Sequence, residues 1–395
     1  MDYYKESLKL HEALRGKIGV HTKFDIRSTQ DLSLVYTPGV AAPCEAIVED
    51  PEKVWAYTMK GNSVAIVSDG SAVLGLGNIG PEAALPVMEG KAMLFKAFAD
   101  IDAIPICLRT QDSDEIVRTI QHIAPVFGGI NLEDISAPRS FEIEERLQDL
   151  GIPVFHDDQH GTAIVVLAAL INACKVVGKS LESLKVVING AGAAGIAIAR
   201  LLRYAHLAEK PLPEYAHINV RQVVLCDSKG ILHQGRTDLN ASKRAALAFT
   251  NLKNLQGSVH EALEGADVFI GVSVGNLLSA EDVRRMAPDP IILALANPTP
   301  EIMPEEAKKG GAAVVGTGRS DFPNQVNNVL GFPGIFRGAL NARARTISPA
   351  MKLAAAFAIA GCVSRPSAEE IIPSSLNRAV AYQVAEAVEN AARKG

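Results

Sequence analysis

The segment "VVINGAGAAGIAIARLL", residues 186–202, decides the fold of this 395-residue chain. A short apolar run predicts a buried strand, and glycines with the spacing G-x-G-x-x-G follow it where a helix begins. Such glycines permit a tight turn, let the backbone approach a pyrophosphate and allow close helix–sheet packing, while the helix N-terminus attracts the anion. The segment therefore predicts a dinucleotide site built from one loop: Gly190, Gly192, Ala193, Ala194 and Gly195.

The next predicted strand, "QVVLCD", ends at Asp227, 32 residues after Gly195. The usual spacing from the glycines to this acid is about 20 residues, and an insertion at "AEKPLPEYAHINV" accounts for the excess. An aspartate here suits a ribose 2′-hydroxyl and favours NAD. Lys229, Lys243 and Arg244 lie near enough in sequence to meet the 2′-phosphate of NADP, so both NAD and NADP stay open.

Strand-length apolar runs alternate with helix-length segments on both sides of the glycine loop. Before the loop, "VAIVS", "AIPICL", "APVFGGI" and "IPVF" alternate with helices predicted at 82–99, 113–123, 139–150 and 160–177, and Asp112 or Ser113 is the start signal of the second helix. After the loop come "QVVLCD", "ADVFIGV", "IILALANP" and "AAVVGTG". Continuous apolar strands separated by helices indicate βαβ units and parallel sheets covered on both faces.

This double alternation predicts an α/β protein of two domains, since the length allows two cores. We expect an N-terminal α/β substrate domain at 1–160 and a Rossmann-type, doubly wound parallel-sheet domain at 161–345. The chain turns helical from Gly331, and we expect the helices of 346–395 to pack back and complete the first domain.

Composition excludes several classes of protein. A formal net charge of −5, without a Lys/Arg cluster, argues against a nucleic-acid binder. The five scattered cysteines indicate a reducing compartment, and the charged N-terminus has no signal-peptide apolar region. The longest apolar stretch, "GTAIVVLAALINACKVVG", is interrupted by Thr162, Asn172 and Lys175 and suits a buried helix rather than a membrane span. We expect a cytoplasmic protein.

Two pairs of adjacent acids follow predicted strands: Glu133 with Asp134, and Asp157 with Asp158. Ligands bind beyond the carboxyl ends of strands in open α/β sheets, so these carboxylates are able to converge on one cation. Mg²⁺ and Mn²⁺ both prefer carboxylate, water and substrate oxygens. The sequence therefore predicts an Mg²⁺ or Mn²⁺ site.

Simpler interpretations of this region remain open. Either acid pair alone fits solvated loop acids, and Asp134 or Ser136 is able to cap the helix after Pro138. His156 and His160 flank the second pair, but lone loop histidines are more often structural than zinc ligands.

Seven motifs span nearly the whole chain: "YTPGVAAPC" (36–44), "GLGNIGPEAALPVMEGKAMLFKAF" (75–98), "NLEDISAP" (131–138), "FHDDQHGTA" (155–163), "NGAGAAG" (189–195), "ANPTPE" (296–301) and "GTGRSDFPNQVNNVLGFPG" (316–334). Together they resemble the short bacterial form of malic enzyme, and they appear in that family's order. The family's two-domain α/β fold agrees with the pattern of strands and helices.

The resemblance implies roles for individual residues. It implies that Glu133, Asp134 and Asp158 are metal ligands and that Asp157 is a supporting acid among the catalytic residues. Its general base and general acid are Lys91 and Tyr36, and its contacts to substrate or nicotinamide are Asn297 and Asn328. Taken alone, Lys91 is typical of a solvated helix lysine, Tyr36 of a packing residue beside a turn and Asn297 of a turn starter.

The implied reaction converts L-malate and NAD(P)⁺ to pyruvate, CO₂ and NAD(P)H. Lys91 would take the C2 hydroxyl proton, which requires its pKa to fall from ~10.4 toward ~7. Oxaloacetate then loses CO₂, and Tyr36 protonates C3 of enolpyruvate. Larger eukaryotic members carry an arginine where this chain has Ala72, so Ser71, the asparagines or a partner subunit must meet the second carboxylate.

Other functions and states stay open at this point. An amino-acid dehydrogenase needs no divalent metal, so the paired acids count against it, and a non-catalytic nucleotide-binding module would not keep all of the catalytic residues. We expect a homodimer or higher homo-oligomer, with "YYKESLKLHEAL" as a possible interface element. Either Asn327 or Asn328 is able to face the substrate, and we favour Asn328.

Overall fold

Two mainly parallel sheets form the centre of the computed structural model, which describes residues 3–394 apart from the Leu74 side chain. The first sheet has the order β2-β1-β3-β4 and the second the order β10-β9-β8-β5-β6-β7, in which only the β6–β7 pair is antiparallel. The strands are β1 (Ser63–Ser68), β2 (Asp102–Cys107), β3 (Gly129–Leu132), β4 (Val154–His156), β5 (Lys185–Asn189), β6 (Gln222–Asp227), β7 (Gly230–Ile231), β8 (Val268–Gly271), β9 (Ile291–Ala294) and β10 (Val314–Thr317). The predicted α/β class is confirmed.

Helices cover both sheets and make up both ends of the described chain. They are α1 (Tyr3–Leu14), α2 (Thr29–Val35), α3 (Ala41–Glu49), α4 (Val54–Tyr57), α5 (Pro81–Ala99), α6 (Ser113–Ile123), α7 (Arg139–Arg146), α8 (Thr162–Val177), α9 (Ala193–Leu202), α10 (Tyr204–Leu207), α11 (Ala241–Ala246), α12 (Val259–Ala262), α13 (Ala280–Arg284), α14 (Pro304–Lys309), α15 (Phe332–Ala342), α16 (Pro349–Gly361) and α17 (Ala379–Lys394). Asp112 is the cap of α6, because its Oδ1 accepts a hydrogen bond from Glu115 N at 2.9 Å.

Three predicted boundaries are wrong. The run "APVFGGI" is not one strand: Ala124–Val126 form a 3₁₀ turn, since Pro125 lacks a backbone donor, and β3 begins only at Gly129. The helix predicted at 139–150 ends at Arg146. The helix predicted from 160 begins at Thr162, after a π-helical turn at Asp157–Gly161.

The core helix α8 lies in the cluster of apolar side chains that joins the two sheets. Every residue from Ala163 to Cys174 is buried, and the same cluster contains inward-facing residues of β1 and β5. Asn172 interrupts this apolar run without cost because its amide donates to Ala360 O and Ile371 O, at 2.8 and 3.0 Å. The span Asp157–Val177 is long and apolar enough to cross a membrane, but 72% of it is buried inside the protein, as for a core helix.

The C-terminal helices pack on the first sheet's helices. Helices α15 and α17 lie against each other and contact α5, whereas α16 contacts α8 and α17. Gly334 and Gly338 permit this close packing, since a Cβ atom would lie 2.6 Å from Ala381 O at the first position and 2.4 Å from Ala385 O at the second.

Each sheet has a point where the strand order reverses, between β1 and β3 in the first and between β5 and β8 in the second. Loops that leave neighbouring strands in opposite directions open a crevice at such a point, and ligands bind there. The two crevices therefore fix where the functional residues lie.

Candidate active site

The crevice between β5 and β8 contains a cavity of about 770 Å³. Gly190, Gly192 and Asp227 line it together with Lys229 and Lys243. This is the place where the sequence predicted the dinucleotide.

The three glycines are needed for different reasons. Gly190 has φ +118° and lies so near β8 that a Cβ atom would be 2.4 Å from Val272 O. A Cβ on Gly195 would clash with Gly190 O, whereas one on Gly192 would meet nothing within 4 Å. Gly192 thus leaves open space at the N-terminus of α9, where Ala193 and Ala194 form the first turn and a pyrophosphate would be held.

Asp227 does not present a free carboxylate to this cavity. Arg236 donates to both of its oxygens, at 2.7 and 3.1 Å, and Lys243 Nζ lies 2.6 Å from Oδ2. Burial opposes ionisation of this carboxyl, but the two cations and the Lys229 amide outweigh burial and lower its pKa. Arg236 was missed by the sequence reasoning because it lies beyond the strand pair β6–β7, in an irregular loop with no motif.

The crevice between β1 and β3 holds both acid pairs around the ammonium of Lys91. This lysine lies on the buried face of α5 with Ala84, Met88 and Phe95, and its side chain is 7% exposed. The interpretation of Lys91 as a solvated lysine is wrong. The helical spacing of these apolar residues was the available signal, since it places position 91 on the inner face.

Lys91 forms two buried ion pairs. Its Nζ lies 2.9 Å from Glu133 Oε1 and also contacts Asp157 Oδ2. The ring of Phe332 lies beneath it, with the centroid 4.0 Å from Nζ. This cation–π contact links α5 with the start of α15, and no motif in the sequence indicated it.

The first acid pair is held in a constrained backbone after β3. Asn131 donates to Glu133 Oε2 at 2.8 Å, and Asp134 has φ +54°, a conformation that non-glycine residues seldom adopt. The amide of Asp134 donates to Asp158 Oδ2 at 2.8 Å, so the two acid pairs are in direct contact. Such strained residues concentrate at functional sites. The capping alternative is wrong, since the helix that follows begins at Arg139 with Pro138 as its N-cap and without a side-chain cap.

The second acid pair lies in the π-helical turn, and Asp157 points inward. Its Oδ2 accepts a hydrogen bond from Asn328 Nδ2 as well as from Lys91, although 171 residues separate the asparagine from it. Gly161 makes room for this carboxyl, because a Cβ there would lie 1.8 Å from Asp157 Oδ1. Asn327 instead caps the turn at Asn328–Leu330 by accepting from Val329 N at 2.9 Å.

Burial raises the pKa of all four site acids. The pKa of Asp134 rises to about 9, and the charges of Asp158 and Glu133 add to the rise. The pKa of Glu133 and that of Asp157 rise to about 7 against the opposing effect of Lys91, and that of Asp158 rises to about 6. Burial pulls the pKa of Lys91 down, but the surrounding carboxylates outweigh it and raise this pKa. Protein charges alone therefore do not give the lowered pKa that we expected for a general base.

The donor set fits a hard divalent cation in its chemistry. Asp134 Oδ2 and Asp157 Oδ1 are buried without a hydrogen-bond partner among the described residues, and all the candidate ligands are carboxylate oxygens. Within residues 3–394, no three His, Cys, Asp or Glu side chains already surround one point, because Lys91 lies among the acids. A second positive charge would relieve the crowding that raises the pKa of these carboxyls.

The two histidines beside the second acid pair have structural surroundings. His160 Nε2 lies 2.9 Å from Glu144 Oε2, and His156 is fully buried with burial lowering its pKa to about 4. His156 is thus neutral near pH 7.

Two predicted residues are not brought to the acids. Tyr36 ends α2 with 66% of its surface exposed, and its hydroxyl makes no hydrogen bond with the described residues. Asn297 is exposed after β9, and its carbonyl would lie 3.0 Å from a Cβ on Gly75, in the loop after β1. Asn297 therefore lies where the ends of the two sheets meet.

Arg139 is a further charged residue at this crevice that the sequence reasoning missed. Its Nη2 donates to Asp69 Oδ2, Ser71 Oγ and Ser136 Oγ, at 2.7, 2.9 and 3.2 Å. Ser71 Oγ also donates to Asp69 at 2.5 Å and accepts from Ser136 N at 2.9 Å. Ser71 is fully engaged in this network, directly beside Ala72.

Two family models match the chain. One, described as malic enzyme, NAD binding domain, matches residues 159–393, and the other, described as malic enzyme, N-terminal domain, matches residues 16–113 and 109–148. The chain belongs to the malic enzyme family. The resemblance seen in its motifs is thereby confirmed, and oxidative decarboxylation of malate with NAD(P)⁺ is the general function of that family.

Individual malic enzymes are similar over nearly the whole chain. The bifunctional malic/malolactic enzyme of Bacillus subtilis is 57% identical over 99% of this chain and 93% of its own length. An NADP-dependent malic enzyme of Rhizobium meliloti is 49% identical over 96% of this chain, which spans 47% of that longer relative. The crystal structure of the NAD-dependent malic enzyme of Thermotoga maritima superposes with a TM-score of 0.91 at 50% identity, covering 97% of this chain and 98% of that one.

Membership of the malic enzyme family decides between the alternatives left open by the sequence. The amino-acid dehydrogenase and the non-catalytic nucleotide-binding module are both excluded, since the family's members are oxidoreductases that act on malate.

Proposed function

We propose that this malic enzyme oxidatively decarboxylates L-malate to pyruvate and CO₂ and reduces NAD(P)⁺. The observation that carries the proposal is the buried lysine among four carboxyls in the β1/β3 crevice, next to the dinucleotide cavity. Ala137, three residues after Asp134, lines that cavity, so the two crevices adjoin.

Glu133, Asp134 and Asp158 are the residues that would hold Mg²⁺ or Mn²⁺. Bound there, such an ion would supply Lewis acidity toward malate oxygens, and its charge would favour the neutral form of Lys91. The orphaned oxygens of Asp134 and Asp157 support this assignment.

Lys91 takes the proton from the C2 hydroxyl while hydride passes from C2 to the nicotinamide of NAD(P)⁺. Asp157 and Asn328 orient the lysine, because Asp157 Oδ2 accepts from both side chains. Oxaloacetate then loses CO₂, and Tyr36 protonates C3 of the enolpyruvate that remains. Asn297, at the junction of the two sheets, contacts substrate or nicotinamide.

Tyr36 is exposed in the single chain, so association with another chain has to bring it to the substrate. We infer that the enzyme is a homodimer or higher homo-oligomer in which the N-terminal segment meets an active site. Helices α1 to α4 have no buried residue, and their exposed apolar side chains include Tyr3, Leu8, Leu34 and Val48. Exposed apolar surface of this extent marks an interface.

We also infer which segments of the chain bind malate and metal and which bind the dinucleotide. Residues 1–160 form the malate- and metal-binding domain, completed by 346–395, and residues 161–345 form the nucleotide domain; the contact of α17 with α5 supports this. We infer that the enzyme acts in the cytoplasm, which its five free cysteines support, and that neither nucleic acid nor a membrane is its partner.

The test follows nicotinamide reduction and pyruvate together, with L-malate, with NAD⁺ and NADP⁺ separately, and with Mn²⁺ or excess chelator. We expect equal amounts of pyruvate and reduced nicotinamide, and loss of both with chelator.

Lys91→Ala should lower kcat at least 100-fold and leave NADH affinity within twofold, because Lys91 lies outside the dinucleotide cavity. Arg109→Ala, which removes an exposed ion pair with Glu82, is the matched control and should keep wild-type rates. Oxaloacetate without pyruvate, or normal turnover by Lys91→Ala, would overturn the proposal.

A further inference from the structure

A second cavity, of about 560 Å³, lies behind the active-site crevices. Its walls come from α7, from the π-helical turn with the start of α8, from α9 and α10, and from the first turn of α16. No residue that lines it also lines the dinucleotide cavity. The reaction of the proposed function uses none of its side chains.

Most of the wall of this cavity is apolar. Its volume lies within the range of small-molecule pockets, which combine apolar walls with a few polar groups that orient the ligand. The apolar side chains are Phe141, Ala163, Ile196, Ala197, Leu201, Leu207, Ala208 and Pro349.

Two cations on this wall form no hydrogen bond or ion pair with a carboxylate of the described residues. Lys352 is part-buried, and within residues 3–394 no hydrogen-bond acceptor or carboxylate pairs with its ammonium. Arg200 forms no ion pair there either, and its guanidinium only stacks on Phe249, 5.4 Å from the ring centroid. Burial lowers the pKa of Lys352 to about 8, while the charge of Glu144 opposes this fall and that of Arg200 adds to it, so the two cations are close enough to repel.

The acids on the wall do not pair directly with these cations. Glu144 accepts from His156 N at 3.1 Å with one oxygen and lies 2.9 Å from His160 with the other, so both oxygens are engaged. Glu145 is exposed and pairs with neither Lys352 nor Arg200. The cavity thus offers an apolar surface beside two cations that form no ion pair, although the charge of Glu144 offsets part of that of Lys352.

We propose that this cavity binds a small anionic amphiphile, with its carboxylate or phosphate between Lys352 and Arg200 and its apolar body against the wall. Charge-assisted hydrogen bonds to the head would satisfy both cations, and the apolar body would be removed from water. The site goes beyond the proposed function, since it is separate from the malate and dinucleotide sites.

The cavity adjoins elements that belong to both the dinucleotide site and the acid site. Helix α9 begins at the glycine loop of the dinucleotide site, and the π-helical turn carries Asp157 and Asp158. A ligand that contacts Ile196 on α9 and His160 on the turn bridges elements of both sites. Differential binding to two arrangements of these elements is the physical basis of coupling between sites.

Calorimetric titration of the full-length protein tests the proposal with octanoate, octanamide, acetate and inorganic phosphate. We expect one octanoate per chain, bound at least tenfold more tightly than octanamide, which lacks the charge, and than acetate or phosphate, which lack the apolar body. Saturating NADH should leave the stoichiometry at one. Displacement of octanoate by NADH, or equal affinity for octanamide, would overturn the proposal.

Variants locate the site. Lys352→Met and Arg200→Gln should each weaken octanoate binding at least tenfold, with NADH affinity unchanged within twofold. Lys309→Met, at an exposed lysine on α14, is the control and should bind octanoate like the wild type. Arg200 is exposed, so Arg200→Gln keeps the test decisive even where Lys352→Met folds poorly. Wild-type octanoate affinity in both variants would rule out this cavity.

Discussion

Asp157 and Asn328 show how single side chains connect distant parts of this malic enzyme. The carboxylate is fully buried and accepts from Lys91 on α5 and from Asn328 before α15. Asn327, which precedes Asn328, has the same kind of side chain but a different role. The side-chain oxygen of Asn327 caps the short turn that Asn328 begins. We therefore expect Asn328 to serve catalysis and Asn327 to serve stability.

Replacing each asparagine by alanine separates these tasks. Asn328→Ala removes a hydrogen bond to a buried charge, so we expect kcat/KM for malate to fall about 10- to 100-fold. Asn327→Ala removes the cap and should reduce the free energy of unfolding by about 1 kcal/mol with little change in kcat/KM. Steady-state kinetics and thermal unfolding of both variants measure this; a reversed pattern would assign the catalytic role to Asn327.

Lys243 is the residue on which we expect NADP⁺ use to depend. It lines the dinucleotide cavity and reaches Asp227, whose second partner is Arg236. Lys243→Ala should raise KM for NADP⁺ about tenfold, the worth of one ammonium–phosphate pair, and change KM for NAD⁺ less than threefold. Arg244→Ala is the control, since that guanidinium points to Leu239 O and does not line the cavity. An equal change for both dinucleotides in Lys243→Ala would contradict this role.

At the scale of elements, α7 positions the turn that carries the second acid pair. Glu144 on this helix accepts from His156 N, the last residue of β4, and from His160 in the π-helical turn. Burial would raise the pKa of Glu144, but the contact with His160 and the charge of Lys352 outweigh burial and lower this pKa to about 2. The helix is thereby tied to both ends of the turn.

The lowered pKa of Glu144 predicts a pH-dependent contribution to stability. A carboxyl whose pKa falls on folding stabilises the protein above its unfolded pKa, near 4.5, and loses that contribution as the pH falls toward 2. Glu144→Gln should therefore reduce the free energy of unfolding by about 3 kcal/mol at pH 7. The difference in this free energy between the variant and the wild type should narrow below pH ~4.5. Unfolding by urea between pH 7 and pH 3 measures the difference. Glu142→Gln, in an exposed pair on the same helix, should change little; a gap that stays constant down to pH 3 would refute the assignment.

At the scale of the whole molecule, the N-terminal segment contrasts with the rest of the chain. Helices α1 to α4 bury no residue, whereas α8 buries every residue from Ala163 to Cys174. An apolar surface of this kind is stable when a second chain covers it.

A charge placed on this surface tests the assembly. Leu34→Asp, at a residue that is 69% exposed, should convert the oligomer to monomers, because association would bury the new carboxylate. Light scattering after gel filtration measures the mass, and malate oxidation should fall with the loss of association. Leu376→Asp, at an apolar residue that is 83% exposed on the C-terminal side, should leave the mass unchanged. A monomeric wild-type protein would contradict the assembly we infer.

The sequence by itself determined the two α/β alternations, the dinucleotide loop and the positions of the acids after their strands, since all of these depend on short-range periodicity. It also carried the family's motifs, from which the roles of Lys91 and Asn328 were expected. The buried face of α5 was available in the same pattern, although the lone-lysine interpretation overlooked it.

Only the tertiary structure decided which charges meet. Lys91 and Asp157 are 66 residues apart, Asn328 and Asp157 are 171 residues apart, and Arg139 reaches Asp69 across 70. Arg236 captures Asp227 from a loop without a motif, and Tyr36 is left in solvent. Local pattern fixes the face on which a side chain lies, but contacts between elements arise where strand ends converge, and that convergence depends on the packing of the whole chain.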